Sequence, residues 1–310
     1  MIGWKNIFRH WPGVEYLRPH PFLDEVRSSL ASLGISGEIE DCEFLPPFIH
    51  PVLVLECAWG AQDKKAVVDM AVTAELIHRV SVWHGNVEEQ LGKGTSRTIL
   101  TGDLALAHAF RLLARHYRYG GLPLMAGAIA AIAEGCVSEQ KARFNASESV
   151  QNYIARRGKT TAYLMAACCR LGGQLAERSP AVLSGLWKAG YALGLGLASA
   201  ADVSSWMVEN LIKQVHPLLR GFVGLPEIYL LGQGQQEFAM MLAKGSLQPR
   251  DLPLISQVLQ QTGALDKARR FAAYHLVQGK ELLKGFSSPA FQESETPLLK
   301  GVNEMICDLR

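Results

Sequence analysis

Three short stretches of this chain carry oxygen and nitrogen groups at spacings that could handle a phosphorylated substrate. The first is His84-Gly85-Asn86-Val87-Glu88-Glu89, which closes an apolar run. The second is Ala201–Glu209, reading ADVSSWMVE, with Asp202, Ser205 and Glu209 as its polar groups. The third is Lys159-Thr160, directly after Gly158. Carboxylates one helical turn apart project to the same side. They can share Mg²⁺, which takes hard oxygen ligands in octahedral geometry. Each stretch also has an ordinary reading. Glu88-Glu89 reads more readily as a solvated helix end than as a magnesium site. Lys159 reads as an anion holder at a helix start or as an exposed base before a core helix. Asp202 reads as a hydrogen-bonded or exposed carboxylate, because a single carboxylate binds Mg²⁺ poorly.

Other catalytic signatures are missing from the sequence. The nine histidines form no HExxH. Gly92-Lys93-Gly94-Thr95 lacks the spacing of a phosphate-binding loop, and no Gly-x-Ser-x-Gly elbow occurs. His78, inside an apolar run, reads as a core histidine.

The elements that must position these groups are helices, since strand signals are nearly absent and helical periodicity with caps recurs throughout. Expected helices are Phe22–Leu33, Pro51–Trp59, Ala66–His84 and Asp103–Tyr117, with Leu91–Ser96 as a loop. Leu122–Val137 is almost wholly apolar and is expected at the centre of the bundle. Asn145 and Glu148 read as a capping box for a helix to Arg157, and Thr160–Glu177 follows. Ser179-Pro180 reads as N-cap and first helical position of a helix running to Lys213, whose glycines allow a kink or close packing. Pro226–Lys244, Pro253–Thr262, Leu265–Leu283 and Pro297–Leu309 complete the set. The expectation is one all-α bundle of ten helices or more, a single domain over residues 1–310 with 1–20 as an arm.

Composition fits that expectation. Charged residues are 19% and hydrophobic residues 48% of the 310, as in a well-buried globular chain. A net charge of +2 gives no reason to expect nucleic acid or a polybasic membrane contact. The six cysteines form no CxxC pair and the N-terminal residues lack the apolar run of a signal peptide, so reduced thiols in a cytoplasmic protein are expected. The uncharged runs Tyr119–Ala133 and Ala189–Ala201 fall short of the ~18 residues of a membrane span and read as core helices, not as an integral membrane protein.

Longer stretches carry a resemblance. They are IHPVLVLECAWG at Ile49–Gly60, AELIHRVSVWH at Ala74–His84, TGDLALAHAFRLL at Thr101–Leu113, AEGCVSEQ at Ala133–Gln140, GKTTAYLMAACCRLGGQLA at Gly158–Ala176, GYALGLGLASAADV at Gly190–Val203 and the segment Gly263–Leu283. Over roughly residues 45–285 the chain resembles the trans-isoprenyl diphosphate synthases, the polyprenyl synthetase family. The resemblance implies an isoprenoid-synthase-like orthogonal helical bundle around a central cavity. There, isopentenyl diphosphate is joined to an allylic diphosphate held through Mg²⁺ on two aspartate-rich motifs.

The family's ligands are largely absent here. Aspartates of the first motif would fall at Gly85, Asn86 and Glu89, and those of the second at Ala201, Asp202 and Ser205. The glutamine before the second motif falls at Ala198. The basic isopentenyl diphosphate stretch falls at Pro46–Pro51, where His50 is the sole basic group. The lysine before Leu225-Pro226 is missing, and the usual Arg-Arg is answered only by Lys93 and Arg97, out of frame. Lys159-Thr160 does match a diphosphate-contacting Lys-Thr, and Asp103 matches a Gly-Asp that opens the next helix in the family.

The expectation is therefore a divergent member without catalytic residues and without a cofactor. It would act as the non-catalytic partner of an aspartate-rich prenyl synthase homologue, as a heterodimer, or as a homodimer, with a prenyl chain as a ligand. The implied pathway is the synthesis of quinone or lipid-carrier side chains. Two alternatives stay open. One is a Mg²⁺-dependent prenyltransferase or class I terpene cyclase using Glu89, Asp202, Ser205 and Glu209, of which Ser205 and Glu209 keep a cyclase spacing. The other is a non-enzymatic binder of a prenyl or other apolar ligand.

Overall fold

The structure is a computed structural model that describes residues 22–33, 48–85, 95–206 and 216–286, with 302, 303, 307 and 309 besides. The arm at 1–20, Pro46-Pro47 and most of Pro297–Leu309 lie outside the described residues. Among the described residues every regular element is helical. The α-helices are α1 Leu23–Ser32, α2 Ile49–Cys57, α3 Lys64–Gly85, α4 Thr95–Arg115, α5 Gly121–Lys141 and α6 Val150–Arg157. They continue as α7 Tyr163–Leu175, α8 Pro180–Ser204, α9 Leu225–Leu231, α10 Gln236–Ala243, α11 Leu252–Gln261 and α12 Ala264–Phe286. The single helix expected over Pro226–Lys244 is two, α9 and α10, because the chain turns at Gly232–Gly234, where Gly234 takes a positive φ.

Buried apolar residues form two clusters. The larger draws on α1 to α5, α7, α8 and α12, and the smaller on residues 203–268 with Tyr153. Helices α8 and α12 contribute to both, which ties the clusters together along one long helix pair. The close fit of α8 is set by backbone proximity. A Cβ at Gly194 would stand 2.4 Å from Ala162 Cα, so the α8 glycines serve packing and not a kink.

The centre of the bundle is α3, not the apolar α5. From Ala66 to Val80 every α3 residue is buried, including Asp69, Thr73, Glu75 and Arg79. These polar groups are paired inside: Arg79 Nη2 lies 2.5 Å from Glu75 Oε1, and Asp69 takes Lys65 at 2.7 Å and His116 at 2.8 Å. Paired charges can be enclosed where lone ones cannot. Helix α5 buries only the stripe Met125, Ala128, Ile132 and its neighbours, while Leu122, Ala126, Ala130, Ala133 and Val137 are exposed. Both α5 and α8 are long and apolar enough to cross a membrane by length and composition alone, and more of α8 than of α5 is buried within the bundle.

Two further expectations are corrected. Helix α4 starts at Thr95, so Gly102-Asp103 lies in its interior and opens nothing. At Gly102, α4 runs against the end of α3: a Cβ there would come 2.5 Å from His84 Nε2, so that side chain would have to turn aside. The N-cap of α6 is Ser149, whose Oγ accepts the Asn152 N–H at 3.1 Å. Asn145 instead accepts from Ser147 N–H, and Glu148 pairs with buried Arg156 at 3.1 Å.

Candidate functional site

A cavity of about 210 Å³ opens among α3, α5, the α6–α7 junction, α8 and residues 217–227. Its walls carry several of the sequence-predicted positions, though in altered roles.

Asp202 stands near the end of α8. Its Oδ1 receives Arg157 Nη2 at 2.7 Å. Its Oδ2 receives the Tyr153 hydroxyl at 2.7 Å and the Leu225 backbone N–H at 3.2 Å. Arg157 also reaches Glu139 Oε1 at 3.2 Å. Burial opposes the Arg157 charge, and Asp202, Glu139 and Tyr153 outweigh it, so its pKa is raised. Burial, reinforced by the Asp202 charge, pushes the Tyr153 phenol well above its usual value. Tyr153 and Arg157 sit one turn apart on α6, so one helix face delivers both to Asp202.

Ser205 is also turned inward on its own backbone: its Oγ donates to the Asp202 carbonyl at 2.7 Å. Ala201 lines the same wall and has no ligand atom. Gly85, at the end of α3, has none either, and Asn86, Glu89 and Glu209 lie outside the described residues. Magnesium needs several free oxygen donors. Asp202 has both oxygens committed, and the described residues hold no group of three or more His, Cys, Asp or Glu placed for a metal. The described part of the site does not fit the ion.

Lys159 and Thr160 part company. Residues Gly158–Ala162 form a π-helical turn that joins α6 to α7 without a break. No helix N-terminus with open N–H groups exists there, so the anion-holding expectation loses its backbone half. Lys159 is exposed and paired with Glu134 at 2.7 Å, outside the cavity lining. Thr160 faces the cavity, and its Oγ1 is buried with no hydrogen-bond partner.

Three groups at the cavity are site residues that the sequence reading does not single out as such. Glu227, on α9, is 3% exposed, and its Oε1 accepts the Trp206 indole N–H at 2.9 Å. Burial, then the Asp202 charge, raises its pKa to about 8, so it holds a proton at neutral pH. His50 and His78 stack with ring centroids 4.4 Å apart. Burial lowers His78 to about 4 and, with His78 beside it, takes His50 well below its usual value. His78 is thus a buried neutral group at the cavity wall. Leu225-Pro226 stands out in the sequence for a missing lysine, and Glu227 one residue later is the available signal.

A family model described as polyprenyl synthetase matches residues 49–203, half of the 310-residue chain. Among similar proteins, the heptaprenyl diphosphate synthase component 2 of Geobacillus stearothermophilus is 24% identical over 252 residues, 76% of this chain and 79% of that protein. The protein of the same name from Bacillus subtilis is 26% identical over 243 residues, covering 74% and 70%. Among solved structures, a geranylgeranyl pyrophosphate synthase from Lactobacillus brevis superposes with a TM-score of 0.80 at 18% identity, covering 98% of this chain and 99% of that one. A decaprenyl diphosphate synthase from Rhodobacter capsulatus gives 0.76 at 19%, covering 93% and 99%.

Proposed function

Because this chain belongs to the polyprenyl synthetase family, we propose that it is a non-catalytic subunit, pairing in the cytoplasm with an aspartate-rich family member in prenyl diphosphate synthesis. The observation that carries this reading is the closure of Asp202. The family's chemistry needs carboxylates free to hold Mg²⁺ against a leaving diphosphate. The one aspartate left at the second motif instead neutralises Arg157 and accepts from Tyr153 and Leu225 N–H. Releasing it to a metal would take from the partly buried Arg157 guanidinium the nearer of its two carboxylates, leaving Glu139 alone, and would break the bonds from Tyr153 and Leu225 N–H as well.

Two findings support a partner. Both relatives are named as component 2 of a heptaprenyl diphosphate synthase, a name for one part of a multi-component enzyme. The structure also carries uncharged surface for contact: Leu122, Ala126, Ala130, Ala133 and Val137 share one exposed face of α5, and Leu100, Leu104 and Phe110 are exposed on α4. Exposed apolar residues gathered on one helix face, as on α5, are the kind of surface that marks interaction sites.

The test is a prenyltransferase assay with isopentenyl and allylic diphosphates and Mg²⁺. It is run on this chain, on an aspartate-rich homologue, and on the two mixed. The expected result is no turnover by this chain alone and altered activity or product length on mixing. Turnover by this chain alone, abolished by Asp202→Ala or Glu89→Ala, would overturn the proposal in favour of the enzyme.

A further inference from the structure

The cavity keeps its room while its charges are cancelled, and the two facts together bear on what it holds. Its apolar lining includes Val82, Ile132, Leu164, Ala198 and Ala201. Two of these, Ala198 and Ala201, stand where the family resemblance implies polar ligands. The 210 Å³ of space is far above the ~10–15 Å³ that one water needs.

Four polar atoms on the lining residues are buried with no hydrogen-bond partner in the protein: Glu227 Oε2, Thr160 Oγ1, His50 Nδ1 and Arg157 Nε. Glu227 and His50 are 3% and 1% exposed. Buried polar groups are normally satisfied, and an orphan points to a missing water or ligand. Four orphans on residues lining one largely apolar space mark a place for a small hydrogen-bonding headgroup.

The charge around it selects against a diphosphate. Glu139 and Asp202 are both on the wall and enclose the Arg157 guanidinium from two sides. Arg220 adds a second cation, lying over the Phe222 ring at 5.1 Å. Two cations against two fixed carboxylates leave no surplus positive charge for a group carrying several negative ones.

We infer that this cavity binds an uncharged amphiphile, an apolar chain ending in a single hydroxyl, in preference to the corresponding diphosphate. The hydroxyl accepts from the protonated Glu227 Oε2 or from Thr160 Oγ1, and the chain lies against Val82, Ile132 and Leu164. The inference rests on the pairing of Asp202 that underlies the proposed loss of catalysis, and not on the partner subunit.

The probes are farnesol, the saturated hydrocarbon of the same skeleton, and farnesyl diphosphate. Each is titrated into the full chain in EDTA, and the diphosphate again with Mg²⁺. Titration calorimetry and tryptophan fluorescence report binding; Trp206, which donates to Glu227, is the nearby fluorophore. The expected result is one farnesol per chain without metal, with the hydrocarbon at least fivefold weaker. The diphosphate should be at least tenfold weaker, and Mg²⁺ should not restore it. Thr160→Val, which keeps the side-chain shape, and Glu227→Leu should each weaken farnesol at least threefold and leave the hydrocarbon unchanged. If Glu227→Leu fails to fold, the wild-type panel and Thr160→Val decide. No farnesol binding, or equal affinity for farnesol and hydrocarbon, overturns the inference and leaves the subunit reading intact. Diphosphate binding that is tighter than farnesol and needs Mg²⁺ overturns both.

Discussion

Arg157 at the end of α6 and Asp202 near the end of α8 meet at 2.7 Å, and the pair occupies the position where the second acidic motif of the family would face its ligands. Asp202 is buried, and the Arg157 side chain is 23% exposed. Removing one partner of a buried pair costs about 3–5 kcal/mol, and the partial exposure of Arg157 reduces this to about 2–4. Arg157→Met is therefore expected to lower unfolding free energy by that amount in urea titration. Asp202→Asn should cost less, since Glu139 still holds the guanidinium. The double variant should lose less than the sum, with a coupling of about 1–3 kcal/mol. Strict additivity would mean that the pair does not act as a unit.

That pair also shows where sequence reading ends. The two residues are 45 positions apart, and no local period reports such a meeting. The loss of ligands at Gly85 and Ala201 is legible, because glycine and alanine have no donor atoms on their side chains in any fold. The cap at Ser179, whose Oγ accepts from Val182 N–H at 3.5 Å, is legible because capping is local. Helix α5 is misplaced from sequence because alanines count as apolar wherever they sit. The full burial of α3 is not legible, because nothing local in the sequence reports that Glu75 and Arg79 pair with each other inside the bundle. The π turn at Gly158–Ala162 reads as a helix start, since hydrophobic spacing alone does not separate a bulge from a break.

Stability should pass through a maximum near pH 6.5. Burial lowers His78 and His216 to about 4, and lowers His50 as well. Between pH 4 and 6.5 the unfolded chain binds these protons and the folded one does not, so stability rises with pH. Burial raises Glu56 to about 7, and burial with Asp202 raises Glu227 to about 8. Their contribution is full below the unfolded pKa of about 4.5 and is lost as pH rises toward the folded values. Three histidines outweigh two acids below pH 6.5, and above it only the acids act. Each contributes a slope of about 1.4 kcal/mol per pH unit. Denaturant melts across pH 4–9 check this, and Glu227→Gln should flatten the fall between pH 7 and 8. An unchanged fall in that variant would remove Glu227 as its source.

Gly194 is expected to resist even a methyl group. Its Cβ would stand 2.4 Å from backbone Cα of Ala162, which no side-chain rotation relieves. Gly→Ala ordinarily gains about 0.5–1 kcal/mol in a helix, but overpacking here costs about 1–3. Gly194→Ala should therefore lower Tm by several degrees. Gly285 in α12 supplies the contrast, because an added methyl there would meet nothing within 4 Å. Gly285→Ala should hold or raise Tm. Scanning calorimetry on the two variants reads both, and a Gly194→Ala protein as stable as the parent would mean that α8 and the π turn at Gly158–Ala162 can separate at no cost.

The exposed apolar residues of α4 and of α5 give the subunit reading surfaces that can be spoiled without touching the fold. Leu104 is 50% exposed and Val137 is 55% exposed, so neither contributes much to the core. Substitutions at such sites usually change stability by less than about 0.5 kcal/mol. An interface centre, by contrast, excludes charge, and a buried unpaired cation there is penalised heavily. Leu104→Arg and Val137→Arg are expected to leave the urea midpoint of the isolated chain unchanged. Each should weaken assembly with the aspartate-rich homologue at least tenfold, read by light scattering on the mixed proteins. The activity change on mixing should disappear in the same variants, because a partner that no longer docks cannot alter the active chain. Assembly that persists in both variants would place the contact on another face, and these surfaces would then need a different occupant.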